Sequence, residues 1–223
     1  MPIPAALLAA LFAAAALPCA AAPFAIQLGE ARIALDAPAG FADTGFTGSP
    51  RLAELAEALT PASNRILLFA ISDADLRRFT SGDAIELRRY MVAATPKVLE
   101  RERVSPGMFK EFVADSLRPL GEPPGRPNYL AYLDAQPHGK DSLLAELRKE
   151  ADVVSVLQGT RLPVARRGEE RPQYMLWSNT LMLVRGKALS FSVYTVHDSP
   201  ADLEWLRAVT ARWTEDLRRL NSR

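Results

Sequence analysis

The sequence predicts an α+β fold, with helices packed on both faces of a mainly antiparallel sheet, as one domain over residues 22–223. Residues 174–220 combine a hairpin pattern with a long amphipathic helix pattern. Residues 65–71 (RILLFAI) are apolar on both alternating faces, which predicts a strand covered on both sides. The pattern predicts about seven strands and four helices in mixed order, which is typical of this class.

The first half of the chain shows strand patterns and capped helix patterns in turn. Gly29 breaks an opening strand pair, and Ser49 with Pro50 supplies the N-cap and first-turn proline of a helix. The predicted elements are a strand pair at 24–35, a turn at 37–41, a helix at 49–60, a strand at 65–71, a helical turn capped by Ser72 at 72–79 and a strand at 86–94.

The middle of the chain also alternates predicted helices and strands. Ser105 and Pro106 begin a predicted helix with an apolar face formed by Met108, Phe109, Phe112, Val113 and Leu117. A loop rich in proline and glycine follows. The remaining predicted elements are that loop at 120–127, a short strand at 128–134, a helix capped by Asp141 with Leu143, Leu144 and Leu147 on one face, a strand from 153 to 157 and an exposed turn at 166–171.

The last third of the chain predicts the hairpin. Residues 174–184 (YMLWSNTLMLV) form an apolar and aromatic run, and Arg185-Gly186-Lys187 interrupts it. Gly186 tolerates the positive φ that a tight turn needs. The return run over 188–197 alternates apolar and polar side chains, which indicates a strand with one buried side.

A helix is predicted after the hairpin. Ser199 suits the N-cap, Pro200 the first helical position, and Asp202 completes the pattern of a capping box. The short connection predicts that this helix lies back over the hairpin. Its apolar stripe consists of Leu203, Leu206, Val209, Trp213, Leu217 and Leu220.

Residues 1–21 predict a cleaved signal peptide, which implies export to the periplasm. The first 22 residues carry no charged side chain, and the apolar run at 5–17 has signal-peptide length but is too short to span a membrane. Small residues follow, so we place the cleavage near Ala21. The mature chain is then predicted to have no transmembrane segment.

Cys19 is the only cysteine, and two interpretations of it stay open. It is either a small residue of the cleavage region or a lipoprotein cysteine that tethers the protein to the envelope. Pro18 stands where a lipoprotein signal has glycine or alanine. Cleavage near Ala21 would leave no thiol, which would exclude a disulfide and cysteine catalysis in the mature chain.

The charge balance argues against a nucleic-acid-binding protein. The 27 basic residues nearly cancel the 26 acidic ones, whereas proteins that bind a polyanion usually carry a clear basic excess. At 223 residues and 48% hydrophobic composition, the chain is long enough to bury a full core. The composition therefore predicts an ordinary globular protein with no nucleic acid among its partners.

Three segments carry a resemblance to known proteins: APAGF at 37–41, LMLVRGKAL at 181–189 and DLEWLRAVTARW at 202–213. Together with the element order over 24–220, they resemble small exported proteins of unknown function from Gram-negative bacteria. More distantly, they resemble the PsbP-type α/β/α sandwich, named for an extrinsic photosystem subunit. The resemblance implies a sandwich fold and an exported location, and it brings no catalytic, cofactor or metal residue to this sequence.

The candidates for catalysis are few. Of the two histidines, His138 lies in a Pro-Gly loop, and His197 stands beside Asp198, which can orient a histidine as a general base. The alternative is that His197 and Asp198 belong only to a turn and a helix cap. The sequence contains no GxSxG nucleophile motif, P-loop, dinucleotide fingerprint or HExxH motif. We therefore assign no catalytic, cofactor-binding or metal residue.

Other polar and aromatic groups each have a structural alternative. Adjacent arginines can grip an acidic partner or form solvated ion pairs, aromatic residues in strands can line a pocket or fill the core, and paired aspartates can bind calcium or cap helices. These groups are Arg77-Arg78, Arg88-Arg89, Arg166-Arg167 and Arg218-Arg219; Tyr129, Tyr132 and Trp177; and Asp73 with Asp75 or Asp198 with Asp202.

The sequence therefore favours a non-enzymatic binding or assembly factor in the periplasm, with an envelope protein as its partner and no cofactor. Two alternatives stay open. One is a periplasmic hydrolase that uses His197 and Asp198 with an unidentified serine. The other is an envelope lipoprotein tethered at Cys19.

Overall fold

The computed structural model describes residues 23–125, 128–163 and 172–222. The predicted signal peptide, Cys19 and the turn at 166–171 therefore lie outside the described residues. None of the helices in the described ranges is long and apolar enough to cross a membrane.

The described residues form a small hairpin and a larger sheet. The strands are β1 (Phe24–Leu28), β2 (Ala31–Leu35), β3 (Phe41–Asp43), β4 (Asn64–Ser72), β5 (Arg89–Pro96), β6 (Ser142–Lys149), β7 (Val153–Arg161), β8 (Tyr174–Val184) and β9 (Lys187–His197). The helices are α1 (Pro50–Ala58), α2 (Asp73–Thr80), α3 (Pro106–Leu117), α4 (Tyr129–Asp134) and α5 (Pro200–Asn221).

The larger sheet is antiparallel throughout, in the order β3-β4-β5-β9-β8-β7-β6, and β1 pairs with β2 in the separate hairpin. The predicted hairpin is formed by β8 and β9, whose register runs from Tyr174 opposite His197 to Val184 opposite Lys187. Its return strand, β9, occupies the middle of the sheet. The rest of the fold is therefore arranged on either side of this hairpin.

Helices cover both faces of this sheet, so the predicted α+β sandwich is confirmed. On the first face, the β1–β2 hairpin, α4 and α5 bury residues such as Ile33, Leu133 and Leu206. On the second face, α1 and α3 contribute Leu52 and Phe109, and α2 packs at the edge of the same cluster as α1. Strand β4 is covered on both sides as predicted, with residues of its two faces in separate clusters.

Helix α5 covers the first face because its apolar residues recur at helical spacing. Leu206, Trp213 and Leu217 are all buried, and the indole ring of Trp213 packs edge-on against Phe191 of β9 with ring centroids 5.4 Å apart. The indole Nε1–H donates to the main-chain carbonyl of Asp36 at 2.8 Å. The helix therefore fastens the segment after β2 to the central strand.

Two elements predicted in the middle of the chain are wrong in type. The predicted strand at 128–134 is α4, whose N-cap Asn128 accepts a hydrogen bond from the Ala131 amide. The predicted helix after Asp141 is β6, which pairs with β7. In both places the short apolar run fits the periodicity of a helix and that of a strand. Packing against the rest of the fold therefore determines which element forms. Gly159 of β7 lets α4 approach, since a Cβ there would lie 3.0 Å from Leu133 Cδ1.

Two smaller predictions also need correction. Strand β5 begins at Arg89 instead of residue 86, because Leu87 has a φ of 49° that interrupts extended backbone. The predicted apolar face of α3 is only partly buried. Phe109 is buried on the second face, whereas Met108 is 41% exposed.

Candidate functional site

Two tight turns and one loop meet beside the start of β9. The β8–β9 turn has positive φ at Arg185 (50°) and Gly186 (73°), as a type I′ turn requires, and Gly29 in the β1–β2 turn has a φ of 53°. The loop over 100–104 joins them, because the Val104 amide donates to the Gly186 carbonyl at 2.8 Å. Side chains from three distant parts of the chain thus converge on one place.

Lys187 links the loop over 100–104 to the two turns. It is buried, and its ammonium Nζ donates to the main-chain carbonyls of Glu100 at 3.0 Å and Glu102 at 2.6 Å. Gly29 passes close to it, since a Cβ at Gly29 would lie 2.9 Å from Nζ and 3.0 Å from the Arg101 carbonyl. The absence of a side chain at Gly29 therefore allows the β1–β2 turn to pack against the loop.

The three segments line an open cleft of about 530 Å³, which we call the basic cleft. Five cationic side chains and one carboxylate are among the described residues that line it. The lining residues are Glu30, Ala31, Arg32, Arg101, Arg103, Arg185, Gly186 and Lys187. Because the full chain has 27 basic and 26 acidic residues, this excess of positive charge is a local feature.

The guanidinium groups of the basic cleft have no carboxylate partner among the described residues. Arg185 donates to the main-chain carbonyls of Arg32 and Asn221, each at 3.2 Å. The side chains of Arg32, Arg101 and Arg103 are exposed. These groups are therefore available to an anionic ligand.

Most of the adjacent arginines singled out in the sequence are paired with acidic residues. Arg77, which is exposed, forms no ion pair with a described residue, and Arg166-Arg167 lies outside the described residues. The pairs are Arg78 with Glu86, Arg88 with Asp198, Arg89 with Asp202, Arg218 with Glu150 and Asp152, and Arg219 with Asp216. These arginines contribute little net charge to the surface, in contrast to those of the basic cleft.

A second cleft, of about 450 Å³, lies beside the N-termini of α2 and α5, and ion pairs line it. Desolvation raises the pKa of Asp202, but hydrogen bonds outweigh this effect and the pKa is lowered. The donors are Arg89 Nη2 at 2.7 Å and the Ser199 amide at 2.9 Å. Because opposite charges are already matched here, this cleft offers a ligand less net charge than the basic cleft.

No hydrogen bond links the His197 ring to Asp198 or to a serine among the described residues. The Asp198 carboxylate pairs with Arg88, and its main-chain amide donates to the Asp202 carboxylate at 3.1 Å. The Nδ1 atom of His197 is buried and has no hydrogen-bond partner in the described part of the chain. His197 is also not among the residues that line the second cleft.

Of the paired aspartates, Asp202 completes the capping box of α5. The N-cap of α2 is Ser72, and the Asp198 carboxylate pairs with Arg88 instead of capping a helix. Asp75 accepts hydrogen bonds from Ser72 Oγ at 2.9 Å and from the Glu86 amide at 3.1 Å, and Asp202 accepts from the amide of Ser199 at the start of α5. Within the described ranges, no group of three or more histidine, cysteine, aspartate and glutamate residues is placed to hold a metal ion.

The aromatic residues singled out in the sequence belong to core packing. Trp177 is buried and stacks on Tyr194, with ring centroids 5.8 Å apart. Tyr129 and Tyr132 lie on α4 and pack against the cluster of the first face.

The residues of the basic cleft were not predicted as a site. Arg32 and Arg185 are 153 positions apart, so no local spacing connects them. The available signals were the basic residues on both sides of Gly186 and the alternation Arg101-Glu102-Arg103. Only the convergence of the turns makes them neighbours.

No family model matches the chain, and no curated protein matches it. Among solved structures, the chain is similar to the Ran-binding protein Mog1p of Saccharomyces cerevisiae, with 12% identity and a TM-score of 0.38 over 90% of this chain and 93% of that chain. A mutant of protein Mog1 gives 13% identity and the same TM-score over the same shares. At this TM-score the likeness identifies neither a family nor a function.

Proposed function

We propose that this chain is an exported, non-enzymatic binding or assembly factor that docks an acidic part of an envelope protein in its basic cleft. The observation that carries this proposal is the set of exposed guanidinium groups without carboxylate partners, in a chain whose formal net charge is only +1. Residues 1–21 support export to the periplasm because they have the pattern of a signal peptide.

The chemistry of the lining favours recognition over catalysis. An arginine stays protonated at any physiological pH, so it binds anions but does not serve as a general base. The four arginines offer planar, forked donors that match carboxylate oxygens. Glu30 is the one acidic group that lines the cleft within the described ranges.

The cleft is also preorganised. The turns at Gly29 and Gly186 are held by strand pairing, and the loop that carries Arg101 and Arg103 is held by the hydrogen bonds from Lys187. A site whose backbone is already ordered loses less conformational entropy when a ligand binds.

The test is quantitative capture of envelope proteins from an extract with the exported form as bait. The variant Arg101→Glu with Arg103→Glu reverses two charges of the cleft, and Arg77→Glu with Arg212→Glu makes the same charge change at exposed residues elsewhere. We expect the first variant to lose a protein that the wild type and the second variant retain. Equal capture by all three forms would reject the cleft as the docking site.

The two alternatives stay hypotheses. The hydrolase would need a serine hydroxyl within hydrogen-bond distance of His197, and no contact among the described residues favours it. The lipoprotein depends on Cys19, which lies outside the described residues.

A further inference from the structure

We propose that the occupant of the basic cleft is an acidic peptide segment that presents two or more carboxylates. This inference rests on the proposed function, because it names the chemistry by which the partner would be recognised. It assigns binding to Arg32, Arg101, Arg103 and Arg185, and it assigns Lys187 a positioning role.

The size of the cleft and the origin of its charges favour a ligand with several separate anionic groups. A volume of about 530 Å³ falls within the range of sites that hold whole small molecules, roughly 300–1,000 Å³, and a single carboxylate would leave most of it empty. The cations come from β2, the loop over 100–104 and the β8–β9 turn. Charges carried by three segments are suited to anions that are spread along a chain.

The lining favours a peptide over a phosphate group. Dedicated phosphate sites commonly use a helix N-terminus or a nest of backbone amides, and the described residues that line this cleft come from turns, a strand and a loop. Glu30 would repel any anionic group, a phosphate dianion more strongly than a single carboxylate. A peptide, in contrast, carries backbone N–H groups that can donate to the Glu30 carboxylate.

Arg101 and Arg103 are the residues of choice for the test. Both are exposed, and both lie on the loop that Lys187 fastens to the turns. Lys187 itself is buried with its ammonium committed to main-chain carbonyls, so we do not expect it to contact the ligand directly. Its replacement would disturb the loop and would not separate binding from folding.

The test measures binding of a fluorescent hexaglutamate peptide to the exported form and to the two charge-reversed variants described above. We expect binding of the peptide to weaken as salt rises, and to weaken at least about tenfold in Arg101→Glu with Arg103→Glu, because two attractive charges become repulsive. The variant Arg77→Glu with Arg212→Glu should bind within about twofold of the wild type, since neither changed residue lines the cleft and both are exposed to screening solvent. No binding of hexaglutamate, or an equal loss in both variants, would overturn the inference.

A peptide of opposite charge, hexalysine, distinguishes a loss of ligand recognition from a loss of folding in the charge-reversed variant. We expect Arg101→Glu with Arg103→Glu to bind hexalysine more tightly than the wild type does, because two repulsive charges become attractive. An unchanged thermal midpoint provides the second readout. If the variant folds and gains no affinity for hexalysine, the assignment to the cleft is overturned.

Competition experiments test whether the basic cleft prefers a phosphate ligand to an acidic peptide. Inorganic polyphosphate and vesicles that contain phosphatidylglycerol are added to the complex with hexaglutamate. We expect hexaglutamate to bind more tightly than either competitor. Tighter binding of either one at the cleft would overturn the peptide assignment and identify a phosphate ligand instead.

Envelope capture and hexaglutamate binding can fail independently of each other. If envelope capture depends on the cleft but hexaglutamate does not bind, the peptide assignment fails and the docking role stands. If hexaglutamate binds but no envelope protein is captured through the cleft, the docking role fails and the ligand chemistry stands.

Discussion

Lys187 shows how one side chain can organise a site that it does not itself offer to a ligand. Burying an ammonium group is costly unless hydrogen bonds replace its water. Here two main-chain carbonyls accept from Nζ, and the residue is only 4% exposed. These hydrogen bonds hold the loop over 100–104 against the β8–β9 hairpin. The exposed arginines on that loop therefore have a defined position.

We expect the loss of Trp213 to reduce the stability of the fold substantially. It is 3% exposed, packs against Phe191 and donates its indole N–H to Asp36. Trp213→Ala would remove these contacts and leave a cavity, so we expect the free energy of unfolding to fall by roughly 3–5 kcal/mol. Chemical denaturation followed by circular dichroism measures this change.

The matched control for Trp213 is Arg212→Ala on the exposed face of the same helix. We expect it to change the free energy of unfolding by less than about 0.5 kcal/mol, because it removes no buried contact. An unchanged midpoint for Trp213→Ala would exclude α5 from the core.

At the scale of a single element, the start of α5 depends on one carboxylate. Desolvation raises the pKa of Asp202, but hydrogen bonds from Arg89 and Ser199 outweigh this effect and lower the pKa. The Asp202 carboxylate also accepts from the Asp198 amide. A carboxylate with a lowered pKa stabilises the fold above its unfolded pKa of about 3.9. That stabilisation is lost as the pH falls through the lower pKa of the folded state.

Asp202→Asn tests this role. At pH 7 we expect the free energy of unfolding to fall by about 1–3 kcal/mol, because hydrogen bonds to a charged group are lost. Below the folded pKa the wild type and the variant should converge, since Asp202 is then neutral as well. Urea denaturation across the acid range measures both parts. A constant difference down to pH 2 would show that the charge of Asp202 is not responsible.

At the scale of the whole molecule, a row of aromatic rings crosses three neighbouring strands of the sheet. Tyr90, Tyr194 and Trp177 lie on β5, β9 and β8, and the two tyrosine rings stack with centroids 4.4 Å apart. Burial raises the pKa of Tyr90 and of Tyr194. Tyr174 behaves similarly, because desolvation and its hydrogen bond to Asp134 raise its pKa to about 12.

The raised pKa values of these tyrosines predict that the fold loses stability at alkaline pH. A group with a raised pKa contributes its full stability below the unfolded value, about 10 for tyrosine, and this contribution is lost as the pH rises towards the folded value. We expect the free energy of unfolding to fall steeply above pH 10, and Tyr90→Phe to make that fall shallower. Thermal midpoints measured between pH 8 and pH 12 check this. An identical slope in the variant would exclude Tyr90 as a cause.

The two edge strands of the larger sheet are irregular or short. Strand β6 is one edge, and its pairing with β7 shifts register at two places, between Leu143 and Ala145 and between Glu146 and Arg148. Irregularities and charged side chains make an edge strand a poor template for another chain. The opposite edge, β3, is only three residues long.

Much of this architecture was predictable because the signals were local. Period-two alternation and a Gly186 turn identify the β8–β9 hairpin, and Ser199, Pro200 and Asp202 mark the start of α5. The apolar run of β4 on both faces predicted a sheet with two covered sides. Each of these signals depends on residues within a few positions of one another, so the sequence alone carries it.

The tertiary structure decided what depends on distant partners. Pairing with β7 makes β6 a strand, and packing at Gly159 accommodates α4 as a helix, although short apolar runs fit either state. The basic cleft likewise exists only because two turns and a loop converge on Lys187. Periodicity reports which face of an element is apolar, whereas the meeting of charges from distant segments is set by strand order and register.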